Sequence, residues 1–186
     1  MNQIKTGRFL LLTIAAALLV GCGLLVYSQV RLKFTDGNGV AVLSTKDTEF
    51  TTTWRHLLSV PDTSKQTVVI DGRPLEVEVV NTGESITQGL SNRSNIGADG
   101  MLFVFPTAVQ TSFWMKEMQF DLDIVWLSKG FVVGIEREVP HPKLSTPIFS
   151  LESYRSPQDI ELVLELPAGE AQRLGINDGS KLILYE

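Results

Sequence analysis

The sequence is poor in the residues that build metal and disulfide sites. It has one cysteine, Cys22, and two histidines, His56 and His141, in 186 residues. A single cysteine cannot form an intramolecular disulfide, and it excludes a zinc or iron–sulfur site made of several cysteines. The two histidines stand in unrelated contexts, so a His-rich metal centre is not expected. A metal held by carboxylates and one histidine is the weaker alternative, and we predict no bound metal and no other cofactor.

Positive charge is also scarce. The chain carries 16 Lys and Arg residues against 21 Asp and Glu residues, for a net charge of −5. Nucleic-acid-binding proteins usually cluster Lys and Arg on one face, and this chain has no basic stripe, so we predict no nucleic-acid partner. The motifs of serine hydrolases, P-loop nucleotidases, zinc proteases and dinucleotide-binding enzymes are missing as well, which leaves those classes of enzyme without support.

One stretch lacks charge altogether. From Phe9 to Tyr27 no residue is charged, and as a helix this stretch would be about 28 Å long, close to the hydrocarbon thickness of a bilayer. Because it is apolar on every face, we interpret residues 1–30 as a membrane segment rather than a buried helix. It is either an uncleaved signal anchor or a lipoprotein signal, since Leu19-Val20-Gly21-Cys22 resembles a lipobox with Cys22 as the lipidated residue. Both interpretations place the rest of the chain at a membrane surface outside the cytoplasm.

The remainder divides into a spacer and one domain. Residues 31–65 show poor periodicity and a turn signal at Asp36-Gly37-Asn38-Gly39, which indicates a spacer with one or two strands. Residues 66–186 contain short alternating apolar runs that predict about seven or eight strands. Two short helices are predicted, at Ser85–Leu90 and Ala168–Leu174. Because neither helix is long enough for regular crossovers, the predicted fold is mainly β, a small antiparallel sandwich or barrel.

Turn residues and prolines set the predicted boundaries. Asp71-Gly72 and Ser128-Lys129-Gly130 each separate two apolar runs and predict β-hairpins. The apolar run Met101–Phe105 is predicted to end at Pro106, since proline cannot donate to a sheet ladder. The stretch from Pro140 to Pro157 is predicted to be a long surface loop.

Four sequence blocks resemble a known family. They are Gly89-Leu90-x-x-Arg93, Gly100-Met101-Leu102-Phe103-Val104-Phe105, Ser112-Phe113-Trp114-Met115-Lys116 and Val163-Leu164-Glu165-Leu166-Pro167-Ala168-Gly169. In their order and spacing, over roughly Leu75 to Tyr185, the chain resembles the prokaryotic family called domain of unknown function 192. The resemblance implies a single small, mainly β domain, often found behind a signal peptide or anchor. It implies no assigned reaction.

Arg93, Trp114 and Lys116 are the candidate ligand-binding residues. In a strand Trp114 and Lys116 share one face, where the ring could stack on a sugar and the ammonium group could bond its hydroxyls. The alternative is that Trp114 belongs to the core and Lys116 extends out of it. Arg93 could clamp a carboxylate or phosphate, or it could pair with Asp99 or Asp121 to fix a loop.

Asp121, Asp123 and His141 are weaker candidates. The two aspartates share a face of an extended chain, which is the spacing of paired carboxylates in calcium sites or acid–base catalysis. The alternative is a turn residue followed by a solvent-facing strand position. His141 lies between two prolines, where it is either a base or ligand, or a solvated loop residue.

These observations favour a non-catalytic module of the cell envelope. It would be anchored through its N-terminal segment and bind a glycan, a peptide or an envelope protein through Arg93 and the residues from Phe113 to Lys116. The alternative is a hydrolase that acts on an envelope polymer with Asp121, Asp123 or His141. An enzyme needs those groups to converge in a cleft, whereas a binding module needs only an aromatic platform.

Overall fold

The chain separates into two compact units, Met1–Glu49 and Phe50–Glu186. A computed structural model describes residues 30–33, 42–45, 54–143 and 145–184. In the first unit, β1 (Val30–Lys33) pairs antiparallel with β2 (Val42–Thr45). The predicted membrane segment and Cys22 lie outside the described residues. No helix within the described ranges is long and apolar enough to cross a bilayer.

The second unit is mainly β. Its strands are β3 (Lys65–Ile70), β4 (Arg73–Val80), β5 (Gly100–Val109), β6 (Ser112–Trp114), β7 (Leu122–Ser128), β8 (Phe131–Val139), β9 (Ser153–Arg155), β10 (Ile160–Pro167) and β11 (Leu182–Leu184). Two short α-helices, α1 (Gly83–Gln88) and α2 (Glu170–Arg173), and two 3-10 helices, Trp54–Leu58 and Ile148–Ser150, complete it. The mainly β prediction with two short helices is therefore confirmed.

Seven of these strands form one curled sheet. Their order is β11-β3-β4-β5-β10-β7-β8, and β6 pairs with β9 in a separate two-stranded sheet. Residues near the two edge strands meet, because the amide of Val132 donates to the carbonyl of Ser180 at 2.9 Å and its carbonyl accepts from Gly179 at 2.8 Å. The sheet is thus a half-barrel rather than one layer of a flat sandwich.

Two tight turns fix the register of the predicted hairpins. Asp71 and Gly72 have φ angles of 46° and 80°, and Lys129 and Gly130 have φ angles of 52° and 78°. Two consecutive residues with positive φ are typical of type I′ turns, whose twist matches that of the flanking antiparallel strands. The β3–β4 and β7–β8 hairpins form as the sequence predicts.

Alternate residues of the central strands fill two separate hydrophobic clusters. On β10, Leu162, Leu164 and Leu166 belong to the inner cluster on the concave side, whereas Ile160 and Val163 belong to the outer cluster. The outer cluster is closed by side chains from the segments between strands, namely Leu90, Ile96, Met115 and Met118. Because β10 lies between β5 and β7, the middle of the sheet is buried on both faces.

The purely antiparallel prediction needs one correction. Strands β4 and β5 are parallel, and α1 lies in the connection between them. A helix of a single turn and a half therefore suffices for this crossover. The helix begins at a capping box, in which the Thr82 hydroxyl accepts from the amide of Ser85 and the Ser85 side chain accepts from the amide of Thr82, so it starts two residues earlier than predicted.

Two predicted boundaries are also wrong. Pro106 does not end β5, which continues to Val109. It is tolerated because the ladder with β10 is irregular there: the register shifts between Val104 and Val109, and proline is found in strands at such irregularities. The predicted loop from Pro140 to Pro157 contains β9, which pairs with β6.

The folded unit begins before the predicted start of the domain. Leu57 is 1% exposed and packs in the inner cluster. The side-chain amide of Asn81 donates to the carbonyl oxygens of Leu57 and Val60 at 2.9 and 3.0 Å, which ties this segment to the end of β4.

We therefore expect a shortened chain that begins at Trp54 to fold cooperatively, and one that begins at Val60 to be destabilised. The loss should be about 2–5 kcal/mol, since removing Leu57 exposes part of the inner cluster. Urea unfolding of the two shortened chains measures it, with Leu57→Ala in the longer chain as the matched control. Equal stability of both chains would show that Leu57 contributes nothing to the core.

Candidate functional site

A cleft with a volume of about 260 Å³ opens on the outer side of the sheet between α1 and β6. We call it the Trp114 cleft. It is lined by Ile86, Thr87, Gln88, Gly89, Leu90, Ser91, Phe103, Phe105, Thr111, Ser112, Phe113, Trp114, Met118 and Glu165. All four family-like blocks contribute to this lining, through the segment just after α1 and through β5, β6 and β10.

Glu165 is the ionisable group of this cleft. It lies on β10 opposite Met101 of β5 and Ile124 of β7, and only 6% of it is exposed. Burial raises the pKa of its carboxyl group to about 8, and no hydrogen bond or neighbouring charge from the described residues offsets that effect. At neutral pH the group is therefore mainly a neutral acid that can either donate a hydrogen bond or lose its proton to a suitable ligand.

Aromatic side chains form much of the remaining wall. The rings of Phe103 and Phe113 meet edge to face, with centroids 4.9 Å apart, and Phe113 meets Trp126 in the same way at 5.5 Å. Such pairs favour a fixed ring geometry, so Phe113 is held from two sides. Its neighbour on β6, Trp114, is 55% exposed. Trp114 is thus a surface residue at the cleft and not part of the core.

Hydrogen bonds connect the two sides of the cleft. The Ser91 hydroxyl donates to the carbonyl of Lys116 at 2.9 Å, and the amide of Asn92 donates to the carbonyl of Glu117 at 2.9 Å. The segment after α1 is therefore attached to the turn after β6. The Lys116 side chain points its ammonium nitrogen to 3.7 Å from a Glu117 oxygen, and Lys116 is not among the residues that line the cleft.

Arg93 is engaged in an ion pair. Its guanidinium donates two hydrogen bonds, of 2.7 and 2.8 Å, to the two carboxylate oxygens of Glu78 on β4. This contact raises the pKa of Arg93. Arg93 therefore pairs with Glu78 rather than with Asp99 or Asp121, and it fixes the loop in which it lies instead of lining the Trp114 cleft.

The two aspartates do not form a carboxylate pair. Asp123 is fully buried. One of its oxygens accepts from the amide of Glu138 and the other from the amide of Ala171, both at 2.8 Å. Asp123 thus joins β7 to β8 and to the first turn of α2, and it is not at a solvent-facing position. Within the described ranges, no three His, Cys, Asp or Glu side chains are grouped so that they could hold a metal ion.

Asp121 and His141 do come together. Asp121 accepts a hydrogen bond from the amide of His141 at 2.8 Å, and the same carboxylate oxygen lies 2.5 Å from Nδ1 of the imidazole. These contacts lower the pKa of Asp121. Both side chains are about half exposed, and neither lines the Trp114 cleft.

A second cleft, of about 600 Å³, lies beside β8. Its two arginines already have partners: Arg137 donates to the carbonyl of Ile176 at 2.7 Å, and Arg155 donates to the side-chain oxygen of Gln110 at 2.7 Å. The indole N–H of Trp126, which also lies in its wall, is buried and has no hydrogen-bond partner among the described residues. The Trp114 cleft is the stronger candidate despite its smaller volume, because its buried acid faces the cleft.

Sequence reasoning named Trp114 as a candidate, and the structure places it at the cleft, but it did not name Glu165. The available signal was indirect: Glu165 stands in the middle of one of the four blocks that resemble the family, and the cleft brings parts of all four blocks together. Neither the strand pattern nor the spacing of charged residues indicates that this glutamate is buried.

The chain belongs to the domain of unknown function 192 family, DUF192, whose model is described as Uncharacterized ACR and matches residues 66–184. A solved structure from Sinorhizobium meliloti 1021, described as a candidate transcription regulator, is similar with a TM-score of 0.56 and 29% identity, covering 67% of this chain and 96% of that one. A protein of unknown function from Novosphingobium aromaticivorans DSM 12444 is similar with a TM-score of 0.56 and 25% identity, covering 67% and 88%. No curated protein matches the chain.

Burial of Glu165 predicts a specific pH dependence of stability. An exposed glutamate has a pKa of 4.5, whereas Glu165 in the folded protein has a pKa of about 8. Between these values the folded state holds a proton that the unfolded state has lost, so the free energy of unfolding should fall as the pH rises from 4.5 to 8. The loss is on the order of several kcal/mol, at about 1.4 kcal/mol per pKa unit.

Glu165→Gln should remove most of this dependence and make the protein more stable than the parent at pH 8. Urea unfolding from pH 5 to pH 8, with the exposed Glu84→Gln as matched control, measures the difference. If the free energy of unfolding of the parent changed with pH in the same way as that of Glu165→Gln, Glu165 would not be buried as an acid.

Proposed function

We propose that the protein is a non-catalytic ligand-binding module of the cell envelope, anchored through its N-terminal segment with the folded domain outside the cytoplasm. The observation that carries the binding role is the acid of Glu165, which is buried in the wall of an aromatic cleft without a partner among the described residues. Ligand sites commonly combine an apolar lining with a few polar groups. The uncharged stretch from Phe9 to Tyr27 supports the anchoring role.

Binding is favoured over catalysis because, of the described residues that line the Trp114 cleft, only Glu165 is ionisable. Acid–base enzymes commonly divide the acid and base roles between two titratable groups in one site. Asp121 and His141 form a pair elsewhere, outside the lining of this cleft. The polar groups that do line it, such as the side chains of Gln88 and Ser91, can orient a ligand but do not exchange protons near neutral pH.

The size of the cleft limits what it can enclose. Its volume of about 260 Å³ lies below the range of roughly 300–1,000 Å³ for sites that take drug-sized molecules. We propose that it receives one sugar unit of a glycan, or one side chain or chain end of a peptide, while Trp114 contacts the adjoining part of the ligand. The net charge of −5 argues against DNA binding by this chain. The description of the Sinorhizobium protein as a candidate transcription regulator is therefore not carried over.

Substitutions in the cleft test the proposal. Trp114→Ala should weaken binding of a short glycan or peptide by about tenfold, since a stacking contact contributes about 1–3 kcal/mol, whereas His141→Ala and Asp121→Asn should bind as the parent does. The measurement is an NMR titration of the full chain with panels of oligosaccharides and peptides. The chain has three tryptophans, so the indole signal of Trp114 can be assigned with Trp114→Phe.

Thermal unfolding of each variant provides the control. Because Trp114 is exposed, Trp114→Ala should unfold close to the temperature of the parent. If the titrations moved resonances near His141 and left the Trp114 indole unchanged, the binding site would not be this cleft.

The second candidate function is a hydrolase that acts on an envelope polymer. The observation in its favour is the contact of 2.5 Å between Asp121 and Nδ1 of His141, because a carboxylate that holds one imidazole nitrogen leaves the other available as a general base. Turnover of a polymer by the parent that is lost in His141→Ala, but kept in Trp114→Ala, would favour this function over the binding module.

A further inference from the structure

We propose that the Trp114 cleft binds an organic cation, such as an ammonium group with alkyl substituents, with the carboxylate of Glu165 as its counter-ion. This inference rests on the proposed binding function and names the chemical class of the ligand. It follows from two features of the cleft, its lone acid and its aromatic walls.

The acid has no counter-ion among the residues that the structure describes. Glu165 is the ionisable residue among those that line the cleft, and only 6% of it is exposed. In the described part of the chain, no positive group lies close enough to lower its pKa. A buried carboxylate is strongly destabilised unless it is paired. A ligand that brings a positive charge supplies the missing partner, whereas an anionic ligand would meet a second negative charge.

The aromatic walls suit the same ligand. Phe103, Phe105, Phe113 and Trp114 line the cleft together with Glu165. The faces of aromatic rings carry negative charge density and attract cations, and pockets made of several rings are the usual sites for quaternary ammonium groups. Methyl groups on the nitrogen would also bury apolar surface against Met118, which lines the cleft as well.

The charged groups on the described elements around Glu165 do not act on its carboxyl group. Across the sheet on the β5 side, Glu78 of β4 lies next to Met101 and is paired with Arg93. Lys116 lies next to Glu117 in the turn after β6. On the other side Glu136 of β8 lies beyond Ile124. Glu84 of α1 is exposed. None of these groups shifts the pKa of Glu165, so its own ionisation should control binding of a cation.

The dependence of binding on the ionisation of Glu165 distinguishes a cationic ligand from a neutral one. A cation binds the ionised carboxylate, so binding releases the proton of Glu165 and the affinity should increase with pH up to about 8. A neutral sugar or amide that accepts a hydrogen bond from the protonated acid should bind more weakly as the pH rises over the same range.

Choline and dimethylbutanol provide a matched pair of probes. They have the same shape, but a carbon atom in dimethylbutanol replaces the positively charged nitrogen of choline. Both are titrated into the full chain at pH 6, 7 and 8, with the Trp114 indole signal as readout. Choline should bind more tightly than dimethylbutanol, and the ratio of their affinities should be at least about tenfold larger at pH 8 than at pH 6. Glu165→Gln should remove both this preference and its pH dependence.

The other outcomes of these titrations show whether this inference fails alone or together with the proposed function. If dimethylbutanol binds as tightly as choline, or if Glu165→Gln keeps the preference for choline, the cleft binds ligands but not through a cation, so this inference fails while the proposed function stands. The inference also fails alone if neither probe binds although an oligosaccharide or peptide does. If no compound of either set shifts the Trp114 signal, the proposed function fails as well.

Discussion

The pairing of β10 with β5 and β7 is the constraint on which the rest of the structure depends. Because β10 lies between two partners in the middle of the sheet, its backbone groups are satisfied on both edges, and both of its faces are covered by hydrophobic clusters. Each side chain is therefore committed to one cluster or the other. A shift of the register by one residue would place Leu164 in the outer cluster and Glu165 in the inner one, which would remove the cleft and break the core together.

Buried polar contacts fix the positions of segments that the hydrophobic clusters alone do not determine. Both carboxylate oxygens of Asp123 accept hydrogen bonds from backbone amides of β8 and α2. Arg93 donates two hydrogen bonds to Glu78 of β4. Such contacts are directional, so they hold segments in one place where hydrophobic packing alone would allow several. In this way residues that resemble catalytic or ligand-binding groups in the sequence are used to position the elements around the cleft.

The sequence predicted the parts of the fold that local chemistry determines. Asp71-Gly72 and Lys129-Gly130 form the tight turns that their composition favours, and the alternating apolar runs form strands. It did not predict the parallel pairing of β4 with β5 or the pairing of β6 with β9, because both depend on contacts between segments that are distant along the chain. Trp114 was a candidate because of its residue type and its spacing from Lys116. The partner of Arg93 was not predicted, because Glu78 lies 15 residues away on another element.

Glu165 shows most clearly why a site can escape sequence reasoning. Alternation of Leu162, Leu164 and Leu166 with glutamates is typical of a strand with one face in water, yet α1, β6 and the turn after β6 cover that face. Glu161, the other glutamate of this strand, is buried too, but the amide of Lys129 donates to it at 2.8 Å, so it has a structural role. Glu165 has no such partner within the described ranges, and its burial raises the free energy of the folded state at neutral pH. Since a neutral or apolar side chain would serve the core better, the requirements of the fold do not account for this glutamate, which is why we propose that a ligand uses its carboxyl group.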